Sequence, residues 1–193
     1  MLILNWNKLQ GSIPPNLGGC RSLRSLYLSA NNLIGSIPSE LCVLSELKYY
    51  NLGENYLLGT IPTCFANLSS LVYLDLQSNN LHGRLPSKLG MLRLLRHIYV
   101  WNNSLTGQIP SSFSNCTNLQ NLVLSDNHFT RHIPSELCTR HTQLLGIYLY
   151  GNNFSGSIPA TLFNCTKLQV IEFGKNKLSG VVPMELGKLT QLQ

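Results

Sequence analysis

The segment "NNLIGSIP" (Asn31–Pro38) decides the fold, because it returns in closely similar form as "NYLLGTIP" (Asn55–Pro62). Pro recurs with the same spacing at Pro14, Pro38, Pro62, Pro86, Pro110, Pro134, Pro159 and Pro183. One interval, from Pro134 to Pro159, is a single residue longer than the others, and we assign the extra residue to a loop insertion within "CTRHTQL" (138–144). A constant period of roughly 24 residues indicates stacked structural repeats. The repeated Asn occurs at Asn7, Asn31, Asn55, Asn79, Asn103, Asn127, Asn152 and Asn176.

Each unit follows the pattern L-x-x-L-x-L-x-x-N-x-L-x-G-x-I-P. In "L-x-L" the two Leu share one face of a strand and the residue between them points away, so Tyr50 and Leu52 should face inward. The Asn amide can bond its own turn and the neighbouring coil, Gly permits a tight bend, and Pro ends the hydrogen-bond ladder. One unit cannot bury its apolar face alone, so we predict a single solenoid of about eight units over residues 1–193.

These units resemble the leucine-rich repeat family in its plant-type form, with "LVYLDLQSNNLHGRLP" (Leu71–Pro86) as a clear example. The resemblance covers essentially the whole chain and implies an α/β fold class. The expected architecture is a right-handed solenoid, a horseshoe or superhelix, with a parallel β-sheet on its concave face. Loops and short 3-10 turns would form the convex face. The paired capping cysteines of the family are missing at both ends, so we expect a piece of a larger solenoid or a truncated gene model.

The six cysteines recur with the repeat and form no Cys-x-x-Cys motif. We interpret them mainly as small buried residues of the convex side. The pairs Cys20/Cys42 and Cys116/Cys138 share one and the same offset across adjacent coils. A disulfide in either pair stays open, because it depends on Cα distances that the sequence does not give.

Motifs for catalysis are missing from the sequence. The five His form no His-Glu-x-x-His zinc motif, and there is no phosphate-binding Gly loop, kinase signature or G-x-S-x-G. The net charge is +6, but Lys and Arg never form a run, which argues against nucleic acid binding. No apolar run approaches the roughly 18 residues of a membrane span, so membrane attachment would need a parent segment outside this chain. We predict a non-enzyme with no metal, no cofactor and no nucleic acid partner.

The outward face of the strands carries the functional signal. Six of the eight Tyr and one of the two Trp stand six, four or two residues before the repeated Asn. Packing preferences of strands explain part of this enrichment. Exposed aromatic residues among polar groups are also the usual makeup of protein-recognition surfaces. We predict a ligand-binding surface formed by Tyr27, Tyr49, Asn51, Tyr73, Asp75, His97, Tyr99, Trp101, Tyr148, Tyr150 and Glu172.

The resemblance implies the ectodomain of a plant receptor-like kinase or receptor-like protein that recognises a peptide or pattern ligand. A co-receptor would dock near the C-terminal end, and kinase activity would belong to a cytoplasmic domain. Alternatives are a secreted polygalacturonase-inhibitor-like protein, an ice-binding leucine-rich repeat protein or a structural interaction module. Location would be the extracellular face of the plasma membrane, or secreted in the apoplast. We predict glycosylation at five N-x-[ST] sites, Asn67, Asn102, Asn115, Asn153 and Asn164.

Overall fold

The computed structural model describes residues 1–139 and 143–193, and each coil contributes two short strands and one 3-10 turn. The first strand of each coil joins an eight-stranded parallel sheet, here called the concave sheet. Its strands are Leu2–Ile3, Ser25–Tyr27, Tyr49–Asn51, Tyr73–Asp75, His97–Tyr99, Asn121–Val123, Gly146–Tyr148 and Val170–Glu172.

The second strand of each coil joins another eight-stranded parallel sheet, here called the lateral sheet. Its strands are Gln10–Ser12, Asn32–Ser36, Tyr56–Thr60, Asn80–Arg84, Ser104–Gly107, His128–Arg131, Asn153–Gly156 and Lys177–Leu178. The sequence pattern predicts a turn in this segment, and the lateral sheet differs from that prediction. Its signal was present in the alternation of buried Leu33 and Leu57 with exposed Ile34 and Leu58.

The convex side is built from 3-10 turns, each following the repeated Pro. They span Pro15–Gly19, Ser39–Val43, Thr63–Asn67, Ser87–Met91, Ser111–Asn115, Ser135–Cys138, Ala160–Asn164 and Met184–Lys188. No α-helix occurs in residues 1–139 or 143–193, and within those ranges no helix is long and apolar enough to cross a membrane. The predicted solenoid, with a parallel concave sheet and convex 3-10 turns, is confirmed.

The core runs the length of the stack because every coil points the same repeat positions inward. Tyr50 is fully buried, with its ring centroid 5.3 Å from that of Phe65. Leu52 is buried as well, as the pattern predicted. In the third coil the inward residues are all at most 4% exposed: Leu71, Leu74, Leu76, Leu81, Leu85, Leu89 and Leu92.

The interpretation of the cysteines as small buried thiols is wrong for four of the six, because these four form disulfides. Cys42 bonds Cys64 and Cys138 bonds Cys165, with Cα–Cα distances of 5.7 and 5.3 Å. Neither Cys20/Cys42 nor Cys116/Cys138 is a disulfide, and four of the six cysteines are cross-links rather than buried thiols. Cys20 and Cys64 lie equally far from Cys42 along the chain, so spacing could not choose between them.

The two free cysteines differ in their surroundings. Cys20 is exposed, and Cys116 is buried. The Cys116 thiol donates to the carbonyl of Leu89 at 3.4 Å, and burial raises its pKa to about 11. Cys116 therefore fits the original interpretation of a small buried residue. The central residues of the insertion, 140–142, lie outside the described part of the chain.

Candidate ligand-binding surface

The repeated Asn residues hold adjacent coils in register. The Asn55 amide nitrogen donates to the carbonyls of Leu28, Leu52 and Gly53, each at 3.1 Å. Its Oδ1 accepts from the backbone N–H of Leu33 at 3.0 Å. The same four bonds recur at Asn31, Asn79, Asn103, Asn127, Asn152 and Asn176, whereas Asn7 donates only to Leu4 and Asn5.

This register aligns equivalent repeat positions in columns across the concave sheet. Tyr49 pairs with Tyr73, and Tyr73 pairs with His97. In the next column Asp75 stands between Asn51 and Tyr99. Since neighbouring strands lie about 4.8 Å apart, side chains in one column can touch.

The middle of the surface is a compact group, here called the central cluster: Tyr73, Asp75, His97 and Tyr99. The ring centroids of Tyr73 and Tyr99 are 5.4 Å apart, and those of Tyr73 and His97 are 5.9 Å apart. The His97 and Tyr99 rings stack, with 6.2 Å between centroids and an interplanar angle of 9°. The three rings are partly exposed, so a ligand could reach them.

Asp75 lies buried within this cluster and is only 4% exposed. The Tyr73 hydroxyl donates to Oδ2 at 3.1 Å, and the Gln77 backbone N–H donates to Oδ1 at 3.1 Å. Burial raises the pKa of the Asp75 carboxyl, although these two hydrogen bonds act in the opposite direction. Burial, and then the charge of Asp75, also raise the pKa of Tyr73.

Two polar side chains, Gln77 and Asn121, form hydrogen bonds at the border of the cluster. The Trp101 indole N–H donates to the Gln77 side-chain oxygen at 2.6 Å, and the Gln77 amide donates to Glu54 at 3.4 Å. Asn121 Nδ2 lies 3.1 Å from His97 Nδ1, a separation that suits donation to an unprotonated ring nitrogen. Burial, followed by the charge of Arg96, lowers the pKa of His97, which favours that neutral form.

Not all of the predicted site residues belong to one group. Tyr27 and Tyr49 stack at 6.5 Å near the N-terminal coils, and Asn51 Oδ1 accepts from the backbone of Gly53. Trp101 reaches the central cluster only through Gln77.

The third group lies towards the C-terminal coils. The Tyr150 ring lies against Gly174, where an added Cβ would stand 3.0 Å from its Cδ2. The Lys175 ammonium sits 5.1 Å from the centroid of the same ring. Tyr148 covers Gly146 in the same way, and Glu172 is exposed.

Four residues with clear contacts were missing from the predicted site. Gln77 and Asn121 stand in the outward columns and could have been chosen as polar neighbours of aromatic residues. Glu54 and Lys175 immediately precede a repeated Asn, at positions with φ of 55° and 48°. That left-handed turn redirects the side chain, which strand alternation does not predict.

The five predicted glycosylation sites are all exposed. Asn67, Asn115 and Asn164 each end a convex 3-10 turn. Asn102 has a φ of 54°, and Asn153 begins a lateral strand. A groove of about 770 Å³ also runs past Ser12, Ser36 and Thr60, but no aromatic side chain lines it.

Fold and surface together define a repeat-built solenoid with an aromatic concave face. Leucine-rich repeat family models match residues 21–81, and also 94–116, 118–139 and 143–165. The chain belongs to the leucine-rich repeat family. No curated protein matches it in sequence.

Among solved structures, the chain is similar to the plant peptide hormone receptor RGFR1 in complex with RGF2. The identity is 39% and the TM-score 0.96, over 98% of this chain and 30% of that chain. It is also similar to the Arabidopsis receptor kinase HAESA in complex with the peptide hormone IDA and the co-receptor SERK1. There the identity is 29% and the TM-score 0.92, over 99% of this chain and 32% of that one. The chain thus spans about a third of each receptor chain.

A plant ice-binding protein is similar as well, with 30% identity and a TM-score of 0.79. The match covers 100% of this chain and 69% of the ice-binding protein. The fold is therefore that of plant leucine-rich repeat receptor ectodomains, and it is shared with proteins of another function.

Proposed function

We propose that this chain is the ligand-binding leucine-rich repeat segment of a plant cell-surface receptor, either a receptor-like serine/threonine kinase or a receptor-like protein. A peptide or protein ligand lies across the concave sheet. The observation that carries this proposal is the central cluster, in which partly exposed rings from two coils surround Asp75. Rings of this kind supply large contact areas at little cost in side-chain entropy.

The similarity to receptors solved with peptide hormones supports a peptide as the ligand. The SERK1 co-receptor in the HAESA complex supports a co-receptor for this chain as well. In the parent receptor, any kinase activity belongs to a cytoplasmic domain, and signalling starts outside the membrane.

Two features support an extracellular or apoplastic location. The disulfides Cys42–Cys64 and Cys138–Cys165 are typical of oxidising compartments. All five N-x-[ST] asparagines are exposed, and three of them lie on convex turns, where a glycan leaves the concave face open.

An ice-binding function is the second candidate, because of the similarity to the plant ice-binding protein. Ice binding needs a flat, regular array of small polar residues. The concave columns mix Tyr, His, Asp and Glu, and the lateral sheet exposes Ile34, Leu58 and Arg84. Neither face is regular, so we favour the receptor. Nothing in the described part of the structure specifically favours a polygalacturonase inhibitor.

The receptor proposal is tested with peptides selected from a displayed library of random linear sequences against the 193-residue chain. The double variant Tyr73→Ala/Tyr99→Ala should weaken binding at least about tenfold, because the central rings are lost. Its circular dichroism should stay unchanged, because both side chains face away from the core. Tyr56→Ala, at an exposed position on the lateral sheet, is the matched control and should leave the affinity unaltered. Equal affinity for the wild type and the double variant would refute binding at this surface.

A further inference from the structure

Within the described part of the chain, no cationic side chain pairs with the buried Asp75 carboxylate. Buried charges in proteins are normally paired, because taking them out of water is costly. Asp75 accepts hydrogen bonds from two neutral donors, the Tyr73 hydroxyl and the Gln77 backbone N–H. Across residues 1–139 and 143–193, the one ion pair joins Arg24 to Glu46. The fold therefore leaves the negative charge of Asp75 uncompensated.

Two aromatic residues of the concave face stand beside this carboxylate: Tyr73, which donates to it, and Tyr99, its neighbour on the next strand. Tyr73 and Tyr99 lie 5.4 Å apart, and each is partly exposed. The faces of aromatic rings attract cations. The hydrogen bond from the Tyr73 hydroxyl to Asp75 increases the electron density of the Tyr73 ring. The two ring faces thus carry a negative electrostatic potential, and the negative charge of the Asp75 carboxylate adds to it.

In the coils around the central cluster, the charges at the two edges of the concave sheet give the surface a direction, whereas Lys175 places a positive charge on the C-terminal edge of the last coil. Lys48 and Arg96 precede their strands and are exposed at the N-terminal edge. Glu54 and Asp126 follow theirs and are exposed at the C-terminal edge, where Glu54 is connected to the cluster through Gln77. The potential therefore becomes more negative from the N-terminal edge, across Asp75, towards Glu54.

We propose that the central cluster binds a basic side chain of the ligand, arginine or lysine, over Tyr73 and Tyr99 and directed towards Glu54. The inference rests on the proposed function and adds the chemical class of the group that is recognised. A guanidinium suits the site best, because it is planar, stacks on aromatic rings and loses less hydration than an ammonium. In the complex this cation supplies the charge partner that Asp75 lacks in the free protein.

The test uses N-acetylated peptides selected from the displayed library, so that no free amino terminus can supply the cation. Arginine or lysine should be enriched among the selected sequences. Replacing the key arginine by citrulline, which keeps the shape but removes the charge, should raise Kd at least about fivefold. On the Asp75→Asn variant that penalty should become clearly smaller, because the charge–charge coupling to Asp75 is gone while the aromatic rings and Glu54 remain. On Glu40→Gln, which removes an exposed charge from a convex turn, the penalty should remain.

The outcomes separate this inference from the proposed function. If binding needs Tyr73 and Tyr99 but citrulline binds as well as arginine, the ligand class is wrong and the receptor surface stands. The same holds if the citrulline penalty is equal on wild type and Asp75→Asn, or if only non-acetylated peptides bind. If no peptide is selected, or none depends on Tyr73 and Tyr99, both proposals fail.

Discussion

At the scale of single residues, Asp75 is held where its charged form is disfavoured. It is 4% exposed, and burial raises its pKa. A carboxyl group with a higher pKa in the folded than in the unfolded state makes its full contribution to stability at a pH below its unfolded pKa. That contribution is lost as the pH rises through the folded pKa. Asp75 is therefore expected to cost stability at neutral pH, which fits a group kept for binding.

We expect Asp75→Asn to raise the free energy of unfolding at pH 7. The amide has no charge to desolvate and still offers an oxygen to the Gln77 N–H. The gain should shrink as the pH falls towards the unfolded pKa of about 3.9, where the wild-type carboxyl is also neutral. Urea denaturation of both proteins at pH 7 and pH 4 measures this difference. Glu40→Gln serves as the control and should show no comparable gain; a less stable Asp75→Asn at pH 7 would mean that the hydrogen bonds outweigh burial.

A second residue carries backbone strain. Arg131 occupies the repeat position that Gly holds in seven other coils, and it keeps a positive φ of 72°. For a residue with a Cβ this conformation costs on the order of 1–3 kcal/mol. The Arg131 side chain is exposed at the end of a lateral strand, so few packing contacts offset the backbone strain.

Arg131→Gly should therefore stabilise the fold. The relief of strain is partly offset by the greater freedom of Gly in the unfolded chain, which leaves a net gain of about 0.5–1 kcal/mol. Thermal unfolding followed by circular dichroism would detect it. The reverse change at an equivalent site, Gly59→Ala at φ 86°, should destabilise by a similar amount. A neutral or destabilising Arg131→Gly would show that the Arg side chain makes a compensating contact.

At the scale of elements, the two sheets stack with different offsets. The concave strands pair equivalent repeat positions, as Leu26 does with Tyr50. The lateral strands are shifted relative to the repeat, because Ile34 pairs with Tyr56 rather than with its repeat equivalent Leu58. Side chains therefore form straight columns on the concave sheet and oblique rows on the lateral sheet. Straight columns bring like positions of adjacent coils together, which is how the rings of the central cluster come into contact.

The disulfides act at this scale as well, because each links two adjacent coils: Cys42–Cys64 joins two 3-10 turns, and Cys138–Cys165 joins a 3-10 turn to the residue that follows the next one. Cys64→Ser should lower the free energy of unfolding by about 2–4 kcal/mol, since the loop between Cys42 and Cys64 is no longer closed in the unfolded chain. Urea denaturation under non-reducing conditions measures the loss. Cys20→Ser is the matched control, because Cys20 is free and exposed. Equal losses for both variants would contradict the Cys42–Cys64 pairing.

At the scale of the whole molecule, the solenoid is a scaffold in which every coil uses the same stabilising residue positions. The Asn bonds and the inward Leu positions hardly vary, while the outward columns carry different side chains in every coil. Stability and recognition are thus assigned to different positions of the same unit. A surface built this way can change its ligand by changing outward residues without disturbing the core.

The sequence by itself determined the period, the solenoid and the outward set of aromatic residues, whereas the 3-10 turns were expected from the resemblance to the leucine-rich repeat family. These depend on local rules: side chains alternate along a strand, and Asn, Gly and Pro have fixed turn chemistry. Only the tertiary structure decided the lateral sheet, the disulfide partners of Cys42 and Cys138, and the burial of Asp75 beside Tyr73. Those features depend on the register between coils and on side-chain direction. Spacing along the chain does not specify either, because Cys20 and Cys64 are equally distant from Cys42 in sequence and fit equally well as its partner.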